Sequence, residues 1–246
     1  MLIIENKVLG IFKTADIWFS DSPENTQEFD ALTYRQCKNK SDLPGFERSE
    51  YSTLILDLEE EVDDIWKGIT SKSCKYNINR AKREDVSVEI SQDYEGFIER
   101  YNKFAKDKGI ELSGFSIEEM KRFGALFVAK YDNKIVSSHL YLEDDKYIRS
   151  LLACSDRFSD ISKIAGYANR LIIWEAIQYA KNKGIKTFDF GGYYTGKKPD
   201  SEKEKINKFK KEFGGKLVTQ YNYKRVDSPV YKLLKAGYRV ISSLRR

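Results

Sequence analysis

The chain has 246 residues, 41% of them hydrophobic and 33% charged. That is enough apolar material for a real core, but no stretch approaches the roughly 18 consecutive apolar residues of a membrane span. Cys37, Cys74 and Cys154 lie far apart and there is one histidine, so neither a disulfide framework nor a zinc site is expected and no metal is assigned. The net charge of +5 is uneven: residues 197–246 hold 15 Lys and Arg against 5 Asp and Glu, a net of +10, which leaves −5 for the first 196 residues. Such a basic end suits phosphate on RNA, on a nucleotide-linked substrate or on a lipid surface; the plainer alternative is a solvated lysine face. The apolar run in MLIIENK is too short for a secretory signal and stops at Glu5, which predicts a cytoplasmic protein.

In chain order, residues 2–4 and 17–19 read as short strands around Gly10, and residues 51–58 (YSTLILDL) as a stronger one. The stretch between them, with Pro23, Pro44 and Gly45, reads as polar loop. Residues 59–64 open a helix with Ile65, Trp66 and Ile69 on its apolar side. In the following SKSCKYNINRAKRE, a helix places Lys72, Tyr76, Asn79 and Arg83 on one face with Lys75, Arg80 and Lys82 close by. A cationic patch that dense, with a tyrosine in it, suits an anionic ligand; otherwise it is a solvated helix. Residues 86–90 alternate as a strand, and residues 94–108 and 118–123 read as helices, the first with Phe97, Tyr101 and Phe104 inward. Two strands, 125–131 and 134–142, flank Asp132-Asn133, a tight hairpin signal, and residues 147–153 follow as a third. His139 alternates with apolar neighbours and reads as a packed, hydrogen-bonded histidine more readily than as a base. Arg149, on the adjacent strand, can face the same cleft. Cys154 reads as a small core residue, since no activating histidine is near it in sequence.

Residues 166–183 make a strong apolar helix, and the next 32 residues put a strand, a loop and a basic helix end to end. Residues 187–190 read as a short strand stopped by Gly191 and Gly192. Asp189 there is a candidate general base or amine-orienting group, with loop capping as its alternative. Tyr193 and Tyr194 can stack on a sugar or base and donate a hydrogen bond, unless one is core. Asp200 or Ser201 is a good N-cap for a helix carrying Ile206, Phe209, Lys210 and Phe213, which ends at Gly214. A Phe beside a Lys near a glycine-rich strand end offers an apolar wall next to a fixed cation, which chemistry that develops negative charge on oxygen can use. The last segment, SPVYKLLKAGYRVISSLRR, is a basic amphipathic helix that can lie on an anionic membrane surface, bind tRNA through phosphate, or pack on the rest of the chain.

The element order resembles the acyl-CoA N-acyltransferase (GNAT) fold. LLACSDRF, NRLIIWEAIQYAKNKGIKTFDFGG and INKFKKEFGGKLVTQYNY look like the C-terminal module of the FemAB/FemX-like peptidyltransferases within it, and SKSCKYNINRAKRE is similar to that family's Lys-x-x-Ile-x-Arg-Ala pattern. The resemblance covers about residues 55–235. It implies an α/β (α+β) fold: a mixed, mostly antiparallel sheet flanked by helices, with a reduced N-terminal GNAT-like segment at 1–85, a catalytic module at 86–227 and the C-terminal helix at 228–246. It further implies an aminoacyl- or acyltransferase that joins a group from aminoacyl-tRNA or acyl-CoA to an amine of a peptidoglycan, cell-envelope or glycan precursor, nucleotide- or lipid-linked, with no tightly bound cofactor. Phe209 and Lys210 fall on the family's Phe-Lys pair, Lys210 stabilising the oxyanion, while Lys75, Tyr76 and Arg80 hold phosphate or carboxylate of the acceptor. The Arg/Gln-x-x-Gly-x-Gly/Ala loop by which many GNAT enzymes cradle pyrophosphate is absent between Asp156 and Asn169, where Arg157, Lys163, Ala165 and Gly166 are a loose echo; this weighs against acyl-CoA. An acyl-CoA N-acyltransferase of amino sugars, and a catalytically silent RNA-binding or scaffold module, are the competing readings. Peripheral contact with the inner face of the membrane would run through the C-terminal helix.

Overall fold

The computed structural model describes residues 1–156 and 161–234. The chain divides into two compact units, one made of residues 1–52 and 219–246, the other of residues 53–218. The sequence boundary at 85/86 falls inside the second unit and that at 227/228 inside the first.

The first unit is built on strands β1 (Leu2–Val8), β2 (Phe12–Trp18), β3 (Ala31–Cys37) and most of β10 (Lys216–Val226). Their order is β1-β2-β3-β10, with β2 and β3 parallel and the other pairs antiparallel. β3 corrects the sequence reading, which made this stretch loop. Leu32, Tyr34 and Cys37 supply its buried face against Ala15, Ile17 and Tyr223. Thr33, Arg35 and Gln36 masked that face in the sequence. Gln36 is itself buried, its amide donating to the Gln220 side chain at 3.0 Å.

The second unit carries β4 (Glu47–Asp57, from Thr53 on), β9 (Thr187–Gly192), β8 (Tyr147–Ser155), β7 (Lys134–Glu143), β6 (Gly124–Tyr131) and β5 (Ser87–Ser91), in that spatial order. All neighbours are antiparallel except β8 and β9, which run parallel. Between those two the chain crosses over in the 21-residue helix α5 (Ser162–Asn182), the connection a parallel pair requires. One sheet face packs on α5 and on α1 (Val62–Gly68) and α2 (Lys72–Arg83), in a core that runs from Leu54 and Ile78 to Trp174, Phe188 and Phe213. The other packs on α3 (Tyr94–Lys108) and α4 (Ile117–Phe123) around Phe97, Met120 and Leu140. The fold is thus mixed α/β, a mostly antiparallel sheet flanked by helices. The expected hairpin at Asp132-Asn133 is present, both residues in the left-handed region (φ 54° and 58°) that such a turn requires. Among the described residues no helix is long and apolar enough to cross a membrane, and no group of three His, Cys, Asp or Glu side chains could hold a metal ion.

Candidate active site

Parallel pairing of β8 with β9 lasts three residues, ending where Arg149 faces Asp189. Beyond that point β8 stays with β7 as far as Ser155, while β9 keeps to β4, with which it pairs from Thr187 facing Asp57 to Gly192 facing Thr53. Two parallel strands that part in mid-course leave their backbones and side chains to line a wedge, and Thr53, Arg149, Asp189 and Lys210 meet at its apex.

Asp189 is only 2% exposed, between Phe188 and Phe190 on a strand that ends in two glycines. A carboxylate buried that deeply persists only when it is hydrogen-bonded and paired. Its Oδ1 accepts from the Thr53 hydroxyl and from the Gly191 N–H at 2.7 Å, and its Oδ2 lies 3.8 Å from Nε of Arg149. The same Thr53 hydroxyl oxygen lies 2.9 Å from the Gly191 carbonyl, so its one proton is shared between the two acceptors. Arg149, 9% exposed, additionally donates to the Ser150 carbonyl at 3.3 Å. Gly191 has φ 77°, and a Cβ there would stand 3.0 Å from the Ser150 carbonyl oxygen, 3.8 Å from Nζ of Lys210 and 3.9 Å from Nη2 of Arg149. The strain and the lack of room both call for glycine. The two cations therefore converge on one spot of backbone.

Lys210 comes from α6 (Ser201–Lys211), which the Asp200 side chain, one of the two caps the sequence offers, caps by accepting from the Lys203 N–H at 3.1 Å. Its ammonium donates to the Gly192 carbonyl at 2.6 Å. Burial first, then the Arg149 cation beside it, push Lys210 down from 10.5 to about 8, against an opposing pull from Asp189. Two cations against one carboxylate leave a single positive charge in excess at a partly buried apex, the complement of a carboxylate, a phosphate or a forming oxyanion.

The structure thus brings Lys210, Asp189 and Arg149 together. Phe209 turns the other way: its ring packs edge-on to Phe213 at 5.8 Å and lies under the Arg170 guanidinium at 4.9 Å, which in turn is paired to Glu212 at 2.8 Å. It seats α6 on the core. Tyr193 packs against the same core, under Nζ of Lys211 at 5.4 Å. Tyr194 donates from its hydroxyl to the Lys198 carbonyl at 2.7 Å, below Nζ of Lys203 at 4.9 Å. Lys75, Tyr76 and Arg80 form a surface of their own on α2. Lys75 donates to the Lys67 carbonyl at 3.1 Å, Tyr76 is 54% exposed under Arg83, and Arg80 pairs with Glu84. His139 is buried in a polar cluster with α5: its Nε2 faces Oδ1 of Asn169 at 2.9 Å, that oxygen also accepts from Ser137 at 2.7 Å, and Tyr141 Oη lies 3.4 Å from Nδ1. Arg157, Lys235, Arg239, Arg245 and Arg246 lie outside the described residues.

Two residues of the site were not read from the sequence. Thr53 is a fully buried hydroxyl in an apolar strand, and its polar side chain amid YSTLILDL was the available signal. Asn207 clamps the loop after β9, accepting from the Tyr194 N–H at 3.0 Å and donating to the Tyr194 carbonyl at 2.8 Å. An amide one turn before Lys210 was its signal.

Neither protein-family models nor curated proteins match the sequence. Solved structures do match the fold. FemX superposes with a TM-score of 0.66 at 14% identity, over 94% of this chain and 85% of that one. The chain has a FemX-like fold. L-PGS from Bacillus licheniformis matches it too, with a TM-score of 0.56 at 14% identity over 97% of this chain and 85% of that one. In this FemX-like framework the apex of the β8–β9 wedge, with Lys210 arriving from the helix after β9, is where Lys210, Arg149 and Asp189 converge.

Proposed function

We propose that the chain is a FemX-like transferase that moves an aminoacyl or acyl group from an activated ester onto an amine, the donor being an aminoacyl-tRNA and the acceptor a cell-envelope, peptidoglycan or glycan precursor. The observation that carries this reading is the Lys210 ammonium, held partly buried beside Arg149 at the point where β8 and β9 part. The likeness to FemX and L-PGS is consistent with it.

In the proposed reaction the acceptor amine, as the free base, attacks the ester carbonyl. The carbon–nitrogen bond forms as the carbonyl electrons move onto oxygen. Lys210, as ammonium, stabilises that oxyanion, helped by the fixed charge of Arg149. Collapse breaks the carbon–oxygen bond to the donor, the leaving alkoxide takes up the proton released by the attacking nitrogen, and the products are an amide and an alcohol. Asp189 has both carboxylate oxygens engaged, so its part is to hold Arg149 and the Gly191 turn in place. In this reading Tyr193 and Tyr194, in the loop after β9, contact the substrate, and the Lys75, Tyr76 and Arg80 surface on α2 contacts phosphate or carboxylate of a substrate. Much of the acceleration would come from positioning, which contributes about 7–11 kcal/mol in favourable cases.

The test is a transfer assay on purified protein with charged tRNA and acyl-CoA offered in parallel, Lys210→Ala serving as control. Transfer from charged tRNA that Lys210→Ala abolishes is the expected result. Turnover with acyl-CoA alone would reassign the donor and point to amino sugars as acceptors, and transfer indifferent to Lys210 would overturn the assignment of the site.

A further inference from the structure

The β1–β2 hairpin of the first unit ends in a turn whose sequence is at odds with its geometry. Val8 pairs with Phe12, and the Ile11 N–H donates to the Val8 carbonyl at 3.3 Å. Leu9 and Gly10 both take left-handed backbone, φ 53° and 73°. Turns of this hand favour Asn or Asp followed by Gly, because a short polar side chain tolerates the conformation and hydrogen-bonds its own backbone. Here the first position is Leu. It is 72% exposed, and so is Ile11 on the other side of the glycine. Directly behind them Lys7 and Lys13 face each other across the strands, both exposed. Like charges directly opposite destabilise a hairpin. The tip therefore combines a strained apolar residue, a second exposed apolar residue and a repelling pair of cations, each costing stability in the isolated protein.

We infer that this tip is a membrane-contacting element, inserting Leu9 and Ile11 into the interface of an anionic bilayer while Lys7 and Lys13 meet lipid phosphate. A bilayer answers all three features at once: it takes up the apolar side chains, and its anionic headgroups neutralise the lysine pair. A protein partner is a poorer match, since two side chains on a turn are far below the roughly 800 Å² that each partner gives to a stable interface. Nucleic acid would satisfy the lysines and leave Leu9 and Ile11 in water. The same unit offers a neighbouring contact. Tyr231 packs on Phe12 with ring centroids 5.3 Å apart, and around it residues 229–234 form a helical turn on which Val230 and Leu233 are 58% and 75% exposed beside Lys232.

The experiment is co-sedimentation of the full chain with vesicles of phosphatidylcholine alone and of phosphatidylcholine mixed with phosphatidylglycerol, comparing the natural chain with a Leu9→Asn, Ile11→Thr double variant and with Lys7→Gln, Lys13→Gln. The natural chain should prefer anionic vesicles. The apolar-tip variant should bind them about tenfold more weakly or worse, in line with the loss of two partly inserted side chains. Because Asn suits the left-handed position better than Leu, the same variant should unfold at an equal or higher urea concentration, which separates lost binding from lost folding. The lysine variant should lose the preference for anionic over neutral vesicles. Equal vesicle binding by the natural chain and the apolar-tip variant would overturn the inference and leave any lipid contact to the basic end of the chain. Absence of binding by the natural chain would overturn it too, as would a self-association that the variant abolishes without any vesicle binding, which would give the tip to a second copy.

Discussion

Replacing Lys210 by Met should make the second unit more stable at neutral pH while abolishing transfer. Lys210 titrates at about 8 in the fold instead of 10.5, because burial and Arg149 disfavour its charged form. At about 1.36 kcal/mol per pH unit, that difference corresponds to roughly 3 kcal/mol of stability withheld whenever the unfolded chain keeps the proton. Solvent at the open edge of the site and the hydrogen bond to the Gly192 carbonyl, which Met cannot make, reduce the net gain to about 1–2 kcal/mol. The sign follows from proton binding. Between pH 8 and 10.5 the unfolded chain holds the Lys210 proton and the fold does not, so wild-type stability rises with pH across that window; below it the penalty is complete, above it gone. Urea unfolding read by the Trp66–Trp174 pair, whose rings lie 4.7 Å apart inside the second unit, should show the variant ahead at pH 7 and the difference closing by pH 10. A variant less stable than wild type at pH 7, by an amount that does not change with pH, would refute the reasoning.

If Lys210 acts as ammonium, transfer should fall as pH rises through about 8; Arg149→Met, which removes a cation that depresses Lys210, should move that alkaline limb upward in a pH–rate profile. The same substitution should cost about 3 kcal/mol in a urea titration, because it leaves the buried Asp189 carboxylate without its cation. Gly191→Ala should destabilise by about 1–3 kcal/mol, from the positive φ and the Ser150 carbonyl 3.0 Å from the new Cβ, and should slow transfer by shifting the turn on which Arg149 and Lys210 converge. Asn207→Ala unties the loop after β9 at a cost of about 1 kcal/mol and should raise KM more than it lowers kcat, which initial-rate measurements separate.

What was legible in the sequence was whatever local chemistry decides. The Asp132-Asn133 turn, a cap at Asp200 or Ser201, the apolar helix read at 166–183 and the short strand before Gly191 all declare themselves within a few residues. β3 did not, because its buried alternation is interrupted by Arg35 and Gln36, and the Gln36 amide N–H donates to Gln220, 184 residues away. The partnership of Asp189 with Arg149 depends on the register of two parallel strands separated by the whole of α5, which no local pattern encodes. Likewise Thr53 reaches Asp189 across 136 residues. Phe209 and Lys210 were singled out as a pair, yet consecutive residues on a helix point about 100° apart. One seats the helix on Phe213 and Arg170 while the other reaches the wedge.

Where local preference and the fold disagree, the disagreement itself carries information. A lysine held at about 8, two cations crowded on one carboxylate, and a glycine whose every substitute meets the Ser150 carbonyl are each unfavourable for stability, and all three occur within the same few ångströms of the second unit. Random accumulation of such costs at one point is improbable when most positions, from the Ser116–Glu119 capping box to the Gly109 helix end, follow local rules closely. An excess positive charge kept partly dry is of no use to folding and of direct use to a reaction that builds negative charge on oxygen. The same logic applied to the first unit singles out the Leu9–Ile11 tip, where a turn that would be more stable with Asn keeps an exposed leucine instead. The vesicle experiment and the Lys210→Met titration are therefore two tests of one idea: relieving a local conflict should raise stability and remove a function.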